Sequence, residues 1–326
     1  MLISDDFLIC KDLRSQEDPM ISLILCSYNQ GEFVNEGVAA AEEVRKVLNA
    51  EIIFIDDGSK DESFKNALAS LESSNNYFVG TKKNCGLVHS LNLGLKMARG
   101  KYSIFLAIDD KLVVEGVSTA CRQLEIIDQA GFFIANAMYF GEGIERNPVY
   151  KQQHLSFFRT PINELKPITP SKLPPPLLIQ ATVFRTKFLI NLGGWHSDVI
   201  LDDLPLFLRI FSKDLVAGQD FLYDLKVNLC EYRQHGNNSH VNVLRIYNLY
   251  EECIFRYCDP ASHKIELSSA IGMYLLNSIR LLNWRAAFSL LKKAIQYRVL
   301  FNALLNAFER LLAKLKNKVF VGDSGV

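Results

Sequence analysis

Continuous apolar runs alternate with helix-patterned segments along the first third of the chain. Four segments have strand character: 20–29, 51–57, 77–86 and 101–110. Helical composition and spacing lie between them, at 34–49, 61–74 and 87–100. Because these strands are unbroken apolar runs, we expect both of their faces to be buried. The alternation of strand and helix predicts an α/β fold, with a mostly parallel central sheet flanked by helices.

The pattern changes twice beyond residue 110. A helix is predicted at 115–129, and weak patterning follows it until the Pro-rich stretch 161–176, which predicts a loop or an extended connector. No proline follows Pro260, and apolar residues then recur at helical spacing. The expected organisation is an N-terminal extension (1–19), an α/β domain (20–243) divided into 20–110 and 111–243, and a helical C-terminal region (244–326).

Polar side chains follow three of the predicted strands, at their carboxyl ends. They are Ser27, Tyr28 and Asn29, then Asp56 and Asp57, then Asp109 and Asp110. Ligands of an open α/β sheet bind in the crevice outside the carboxyl ends of its strands. An acid in this place can instead cap the next helix, which is the role that we assign to Asp61. Two separate Asp-Asp pairs are better explained by a binding site.

The residue types in this crevice favour a nucleotide diphosphate. The Asp109–Asp110 pair suits a hard divalent cation such as Mn²⁺ or Mg²⁺, which prefers carboxylate and phosphate oxygens. Asp57 can accept a hydrogen bond from a base N–H. Neither a Walker lysine loop nor a GxGxxG motif follows the first strand, which argues against a P-loop enzyme and a dinucleotide fold.

The composition argues against nucleic acid as a partner and favours a reducing cellular compartment. The 326 residues include 36 Lys and Arg and 36 Asp and Glu, so no global basic field would collect nucleic acid. The 7 cysteines include no CxxC, which favours a reducing compartment, the cytoplasm. The acidic start does not predict a signal peptide, and no apolar run is long enough to predict a transmembrane helix.

Five successive motifs resemble those of family 2 glycosyltransferases with the GT-A fold. They are SLILCSYN (22–29), EIIFIDDGSKDES (51–63), NCGLVHSLNLGLKMARGKYSIFLAIDD (84–110), GGWHSDVILDDLPLFLR (193–209) and YRQHGNNS (232–239). Their order and spacing make the set specific, and it covers about residues 20 to 240. The resemblance implies a GT-A catalytic domain with a nucleotide-sugar-binding half (20–110) and an acceptor-binding half (111–243).

The resemblance also implies a role for each matching residue. Asp57 matches the acid that binds the nucleobase. The expected donor site comprises Ser27, Tyr28, Asn29, Asp56, Asp57, Asn84, Gly86 and Asp109, although Asn84 and Gly86 can equally well only shape a turn. The expected metal ligands are Asp110, Asp109 and His235. Asp203 matches the general base, unless it is only a helix N-cap, and Asp202 stands where the family usually has Glu.

The implied activity is an inverting, metal-dependent transfer from a nucleotide-diphosphate sugar, with UDP foremost, to a glycan or lipid-linked saccharide. The implied setting is bacterial surface polysaccharide synthesis, of O-antigen or capsule. Departures from the family pattern at Leu91, Ala107 and Pro205 leave open a scaffold that binds sugar nucleotides without catalysis. A nucleotidyltransferase would need a Gly-rich phosphate loop, which SYNQGEF (27–33) does not provide. Lys82 or Lys83 can supply a positive charge near the diphosphate.

The C-terminal region is basic and amphipathic. Its basic residues include Arg298, Arg310, Lys314, Lys316 and Lys318, and its apolar face includes Phe301, Leu304, Leu305, Phe308, Leu312 and Leu315. Three uses remain open: packing on the catalytic domain, self-association into a homo-oligomer, or contact with an anionic membrane surface. The last use would place a cytoplasmic protein at the inner face of the membrane.

Overall fold

The computed structural model describes residues 7–236 and 242–322, with side chains as far as residue 313. Its described residues form two compact units. The first runs to Lys166 and continues over Pro174–His235, whereas the second contains Pro167–Leu173 and the residues from Gly236 onward. The predicted domain boundaries remain predictions. The end of the last motif (237–239), the first six residues and the side chains of Lys314, Leu315, Lys316 and Lys318 lie outside the described part.

The first half of unit one alternates strands with helices. Its strands are β1 (Ile9–Asp12), β2 (Ile21–Ser27), β3 (Ala50–Asp56), β4 (Tyr77–Thr81) and β5 (Tyr102–Ala107). Its helices are α1 (Gly31–Val47), α2 (Ser63–Ser70) and α3 (Leu87–Met97). Every residue of β2 and β3 is buried, as their unbroken apolar runs predict. Helix α2 is shorter than the predicted 61–74, because polar turns follow Leu71.

The second half of unit one contributes further strands and shorter helices. Its elements are β6 (Lys111–Leu112), α4 (Val114–Ile126), β7 (Phe132–Phe140), α5 (Gln152–Arg159), α6 (Ile162–Leu165), β8 (Thr182–Arg185), α7 (Thr186–Leu192), α8 (Asp203–Phe211) and β9 (Leu222–Arg233). The sequence pattern did not identify β7, β8 or β9. Only two of the 12 residues of β9 are fully buried, so its hydrophobic pattern in the sequence is weak.

The described strands form one mixed sheet in the order β1-β4-β3-β2-β5-β8-β7-β9-β6. Strands β4, β3, β2 and β5 run parallel to one another, whereas β1 is antiparallel to β4 and β8 is antiparallel to both β5 and β7. The predicted α/β fold class is therefore confirmed. The chain passes from β2 to β3 on one side and later returns to β5 on the other. This reversal of strand order creates a crevice at the carboxyl end of β2.

Unit two is helical, as the spacing of apolar residues predicts. It contains α9 (Val243–Tyr257), α10 (His263–Arg280), α11 (Trp284–Gln296) and α12 (Leu300–Gly322). Helix α12 approaches α10 closely at Gly272, where a Cβ atom would lie 2.7 Å from the carbonyl oxygen of Ala303. Among the residues described, no helix combines the length and the apolar character that crossing a bilayer requires.

Candidate active site

Two buried polar atoms at the ends of β2 and β3 have no hydrogen-bond partner among the described residues. Ser27 and Asp56 are the last residues of these strands and lie opposite each other in the parallel pairing. The unpartnered atoms are Ser27 Oγ and Asp56 Oδ1. Asp56 Oδ2 accepts hydrogen bonds from Thr81 Oγ1 at 2.6 Å and from the Ser59 amide at 3.0 Å. Because leaving buried polar groups unsatisfied is unfavourable, this edge of the sheet suits a hydrogen-bonding ligand.

The loop after β2 is tied to the loop after β3 by Asn29. Its backbone amide donates to Ser59 Oγ at 2.8 Å, and its Oδ1 accepts from the Lys60 amide at 2.8 Å. Asn29 adopts a left-handed φ of 51°, which asparagine tolerates better than most residues do. The neighbouring Tyr28 side chain is 45% exposed. Asn29 therefore shapes the loop, while the Tyr28 ring remains accessible to a ligand.

Asp57 lies in a nest of donors from the segment after β4. Its Oδ1 accepts from the Cys85 amide at 2.9 Å and pairs with Lys82 Nζ, and its Oδ2 accepts from the Gly86 amide at 2.8 Å. Gly86 needs a left-handed φ of 88° for this turn, and Asn84 Oδ1 accepts from the same amide at 3.2 Å. Asn84 and Gly86 thus shape the turn that holds Asp57. The buried Lys82 serves Asp57 rather than standing exposed as a cation for a diphosphate.

The residues after β5 are held by the end of β9. The Arg233 amide donates to Asp110 Oδ1 at 2.8 Å, and Arg233 Nε donates to the Asp109 carbonyl at 2.7 Å. The second carboxylate oxygen of Asp110 accepts from Gln180 Nε2 at 3.1 Å. His235 Nε2 lies 3.0 Å from Asp109 Oδ2, and the His235 ring packs 4.9 Å from that of Phe33.

Burial dominates the electrostatics of Asp110. It raises the pKa of Asp110 well above its usual range, and the neighbouring Asp109 carboxylate raises it further. The Arg233 amide and the Gln180 side chain act in the opposite direction. A buried carboxyl group such as that of Asp110 becomes easier to ionise when a cation neutralises its charge.

The donor set at this position fits a divalent cation of the Mn²⁺ or Mg²⁺ type. Asp109 and His235 place a carboxylate oxygen and an imidazole nitrogen within 3.0 Å of each other, and Asp110 follows directly in the chain. Within the described residues, no three His, Cys, Asp or Glu side chains gather into a complete metal site. Mg²⁺ sites commonly use one or two protein carboxylates and take their remaining oxygens from substrate phosphates and water.

Asp203 begins helix α8, but its carboxylate does not cap that helix. Its Oδ1 accepts from the Ile179 amide at 2.8 Å, and the residue before it, Asp202, makes no side-chain cap either. The N-cap alternative is therefore wrong for Asp203. Burial raises the pKa of Asp203 well above its usual range, and the charges of Asp202 and Asp110 raise it further. Burial also raises the pKa of Asp202.

The short turn Ile179–Ala181 connects the two acidic groups, and our sequence analysis did not predict its role. Ile179 binds the Asp203 carboxylate, and the next residue, Gln180, binds the Asp110 carboxylate. Gln180 is a lone amide within the apolar run LLIQATVF, at 177–184. An isolated polar residue in such a run usually needs a buried partner, and this is the signal by which Gln180 could have been found.

Comparisons with known proteins identify the family of this chain and its relatives. The model of the family Glycosyl transferase family 2 matches residues 22–186. An uncharacterized glycosyltransferase of Haemophilus influenzae is 25% identical over 252 residues, which are 68% of this chain and 67% of that protein. An uncharacterized glycosyltransferase of Rickettsia conorii is 32% identical over 205 residues, which are 62% of this chain but only 32% of that protein. The chain thus spans about a third of the length of the Rickettsia relative.

Two solved structures share the fold at low sequence identity. The mannosyltransferase PcManGT from Pyrobaculum calidifontis, in complex with GDP-Man and Mn²⁺, has a TM-score of 0.53 and 16% identity. The alignment covers 90% of this chain and 88% of that one. S. aureus TarS 1-349, in complex with UDP-GlcNAc, has a TM-score of 0.55 and 14% identity, with 89% and 88% of the two chains covered.

Proposed function

Because this chain belongs to glycosyl transferase family 2 and is a glycosyltransferase with the GT-A fold, we propose that it performs an inverting, metal-dependent transfer. The donor is a nucleotide-diphosphate sugar, with UDP foremost, and the acceptor is a glycan or a lipid-linked saccharide. One observation carries the proposal: the adjacent residues Ile179 and Gln180 hydrogen-bond to Asp203 and Asp110, respectively. The proposed base and the carboxylate of a proposed metal ligand are thereby connected at one crevice.

Asp203 is the proposed general base. In a single displacement, the acceptor oxygen forms a bond to the anomeric carbon while the bond from that carbon to the diphosphate oxygen breaks. The acceptor hydroxyl loses its proton, which the Asp203 carboxylate takes. One displacement inverts the anomeric carbon and requires only this base, whereas a retaining double displacement would also require a nucleophile. Burial and the neighbouring carboxylates raise the pKa of Asp203, which makes it a stronger proton acceptor than an ordinary carboxylate.

The donor would lie along the carboxyl ends of β2, β3 and β5. Asp57 is the proposed acceptor for a nucleobase N–H, and Ser27 Oγ and Asp56 Oδ1 are the unpartnered polar atoms beside it. Asp109, Asp110 and His235 would hold the cation. When bound, a divalent cation neutralises the charge of the departing diphosphate. In PcManGT, a complex with Mn²⁺ and GDP-Man is known, which supports this choice of cofactor.

The proposed setting is the synthesis of a bacterial surface polysaccharide, either O-antigen or capsule. The protein would act in the cytoplasm, at the inner face of the membrane when its acceptor is lipid-linked. Self-association into a homo-oligomer is compatible with this setting. These assignments rest on the family resemblance of the motifs in residues 20 to 240.

A donor screen tests the proposal. The purified chain with Mn²⁺ would be given UDP-, dTDP- and GDP-sugars, and release of the nucleotide would be measured with and without EDTA. We expect release from one donor, loss of release with EDTA, and loss in Asp110→Asn. Asp128→Asn is the matched control, because the Asp128 side chain is 90% exposed.

Binding of the free nucleotides, measured in parallel, separates the remaining outcomes. Metal-dependent binding without release, even when candidate acceptors are added, would favour the scaffold that binds sugar nucleotides without catalysis. Absence of both binding and release would show that the crevice at Asp57, Asp109 and Asp110 does not bind a nucleotide.

A further inference from the structure

Helix α11 presents a row of large apolar side chains to solvent. Trp284, Phe288 and Ile295 are 55%, 64% and 61% exposed, and Leu282, in the turn before the helix, is 71% exposed. Positions 284, 288 and 295 are separated by four and seven residues, so they share one face of the helix. Single exposed apolar residues are ordinary on a protein surface, whereas an aligned row of them marks an interaction surface.

Positive charge lies beside this row, in a stretch of the sequence that itself contains no acidic residue. Arg285 and Lys292 are seven positions apart on α11 and both are exposed, so they form a line next to the apolar row. The sequence contains no Asp or Glu from residue 267 to residue 308, although the whole chain has a net charge of zero. We call Leu282, Trp284, Phe288, Ile295, Arg285 and Lys292 the α11 stripe. It combines an aromatic apolar face with a local positive field.

We propose that the α11 stripe docks the protein on the surface of an anionic membrane. Amphipathic helices that lie in a membrane interface place Trp, Phe and Leu in the boundary of the acyl chains and Lys and Arg among the headgroups. The long stems of Arg285 and Lys292 allow their charges to reach the headgroups while their methylenes cover apolar surface. Each such charge near an anionic surface strengthens binding, and salt weakens this part of the attraction.

The charges of the stripe disfavour a second copy of the chain as its occupant. In a twofold-symmetric contact the same patch meets itself, so Arg285 and Lys292 would face the cations of the partner copy. The stretch 267–308 offers no carboxylate to compensate them. Like charges opposed across an interface are strongly unfavourable, whereas the headgroups of acidic lipids supply the missing negative charge.

Vesicle flotation of the whole chain tests this inference. We expect binding to phosphatidylcholine vesicles that contain phosphatidylglycerol, weaker binding to phosphatidylcholine alone, and release at high salt. Trp284→Ser combined with Phe288→Ser should lower the partition coefficient at least about tenfold, because two apolar side chains no longer enter the interface. Arg285→Gln combined with Lys292→Gln should lower it about tenfold on the anionic vesicles and little on the neutral ones.

Two controls keep the result specific to the stripe. Ile126→Ser changes an apolar side chain that is 66% exposed in the first unit, and it should leave flotation unchanged. In a Trp195→Phe background, the emission of Trp284 should shift to the blue with anionic vesicles. Trp195 is only 4% exposed, and the chain contains 2 tryptophans. Replacing Trp195 therefore leaves Trp284 as the source of the tryptophan emission.

Two results would overturn the inference. The first is failure of the folded wild-type chain to float with anionic vesicles, or equal flotation of the wild-type chain and the two double variants. The second is a lipid-free dimer, seen by sedimentation, that Trp284→Ser with Phe288→Ser converts to a monomer, since the stripe would then be covered by a second copy. The inference does not rest on the proposed donor or acceptor, because vesicle binding needs no turnover.

Discussion

At the scale of single residues, the environment of Asp203 decides its chemistry. The carboxylate is held by the Ile179 amide and lies within the field of Asp202 and Asp110, so its geometry is fixed and its proton affinity is high. A general base needs both an aligned acceptor atom and a sufficient affinity for the proton.

We predict that Asp203→Asn lowers kcat by about 10² to 10⁴, the range typical of a positioned base. The amide keeps the shape and can still accept from Ile179, so the KM for the donor and the thermal stability should change little. Steady-state kinetics with a donor identified in the screen would measure both constants, with Asp128→Asn as the exposed control. If Asp203→Asn kept the kcat of the wild-type protein, Asp203 would not be the general base.

The pH dependence of the reaction should report the raised pKa of Asp203. A general base must be ionised to accept a proton, so kcat/KM should rise with pH through the pKa of Asp203. This rising part of the profile, the acid limb, should lie at higher pH than the usual pKa of a carboxyl group. Asp202→Asn removes a neighbouring negative charge, which makes ionisation of Asp203 easier and should move the limb to lower pH. A pH–rate profile of both proteins checks the shift. A limb that does not move, or that moves upward, contradicts this account.

The buried pair of Asp57 and Lys82 yields a stability prediction. Both side chains are almost inaccessible, so Lys82→Met leaves the Asp57 carboxylate without its cation and should destabilise the fold by about 3–5 kcal/mol. Combining it with Asp57→Asn removes the stranded charge as well and should recover part of the loss. Urea denaturation of the two single variants and the double variant measures the coupling. Additive losses would mean that the pair does not interact.

At the scale of elements, the packing of α1 against the end of β5 sets the position of Asp109 and Asp110. Gly37 on α1 faces Ile108, the residue directly before Asp109. A Cβ atom at Gly37 would overlap the Ile108 carbonyl oxygen and lie 2.8 Å from Ile108 Cδ1. The missing side chain therefore lets the helix approach the backbone that carries Asp109 and Asp110.

Gly37→Ala should therefore disturb both the fold and the site. The added methyl group must displace the Ile108 backbone, and such overpacking typically destabilises by about 1–3 kcal/mol. Displacement of the adjacent Asp109 should also weaken binding of Mn²⁺, which calorimetry can measure alongside thermal unfolding. Ala39→Ser, at an exposed position of the same helix, should change neither quantity appreciably. Unchanged stability and metal affinity in Gly37→Ala would show that the helix can shift freely.

At the scale of the whole molecule, a segment from the middle of the chain belongs to the C-terminal unit. Pro167–Leu173 lies within the predicted Pro-rich connector, yet it clusters with the helices of unit two. The buried Glu266 of α10 accepts from the Ser171 amide at 2.9 Å and from Ser171 Oγ at 2.7 Å. These charge-assisted bonds attach the segment to the helical unit.

Glu266→Ala should release this attachment. The Ser171 amide and hydroxyl would lose their acceptor, which should destabilise the C-terminal unit by about 1–3 kcal/mol. Limited proteolysis should then cut faster within residues 167–173, and thermal unfolding should begin earlier. Glu309→Ala, at an exposed position on α12, is the matched control. Equal cleavage of the two variants would show that other contacts hold the segment.

The sequence alone determined the local features of this protein. The buried strands β2, β3 and β5, the helices between them, the polar residues at the strand ends and the helical C-terminal region all follow from hydrophobic periodicity. Periodicity reports which faces of a segment are buried, and burial of an unbroken apolar run hardly depends on its partners. The family motifs are likewise short stretches of adjacent residues.

Only the tertiary structure decided which distant residues meet. It paired Lys82 with Asp57, placed Gln180 on Asp110, and used Arg233 of β9 to hold the residues after β5. Strand β9 was missed because most of its residues are only partly buried, so its partners do more than its own pattern to stabilise it. Strand β7 differs, since its first six residues are all buried and its apolar run FFIANAMYF is itself a local signal. Contacts between residues far apart in the chain depend on how whole elements pack, and no local pattern encodes that packing.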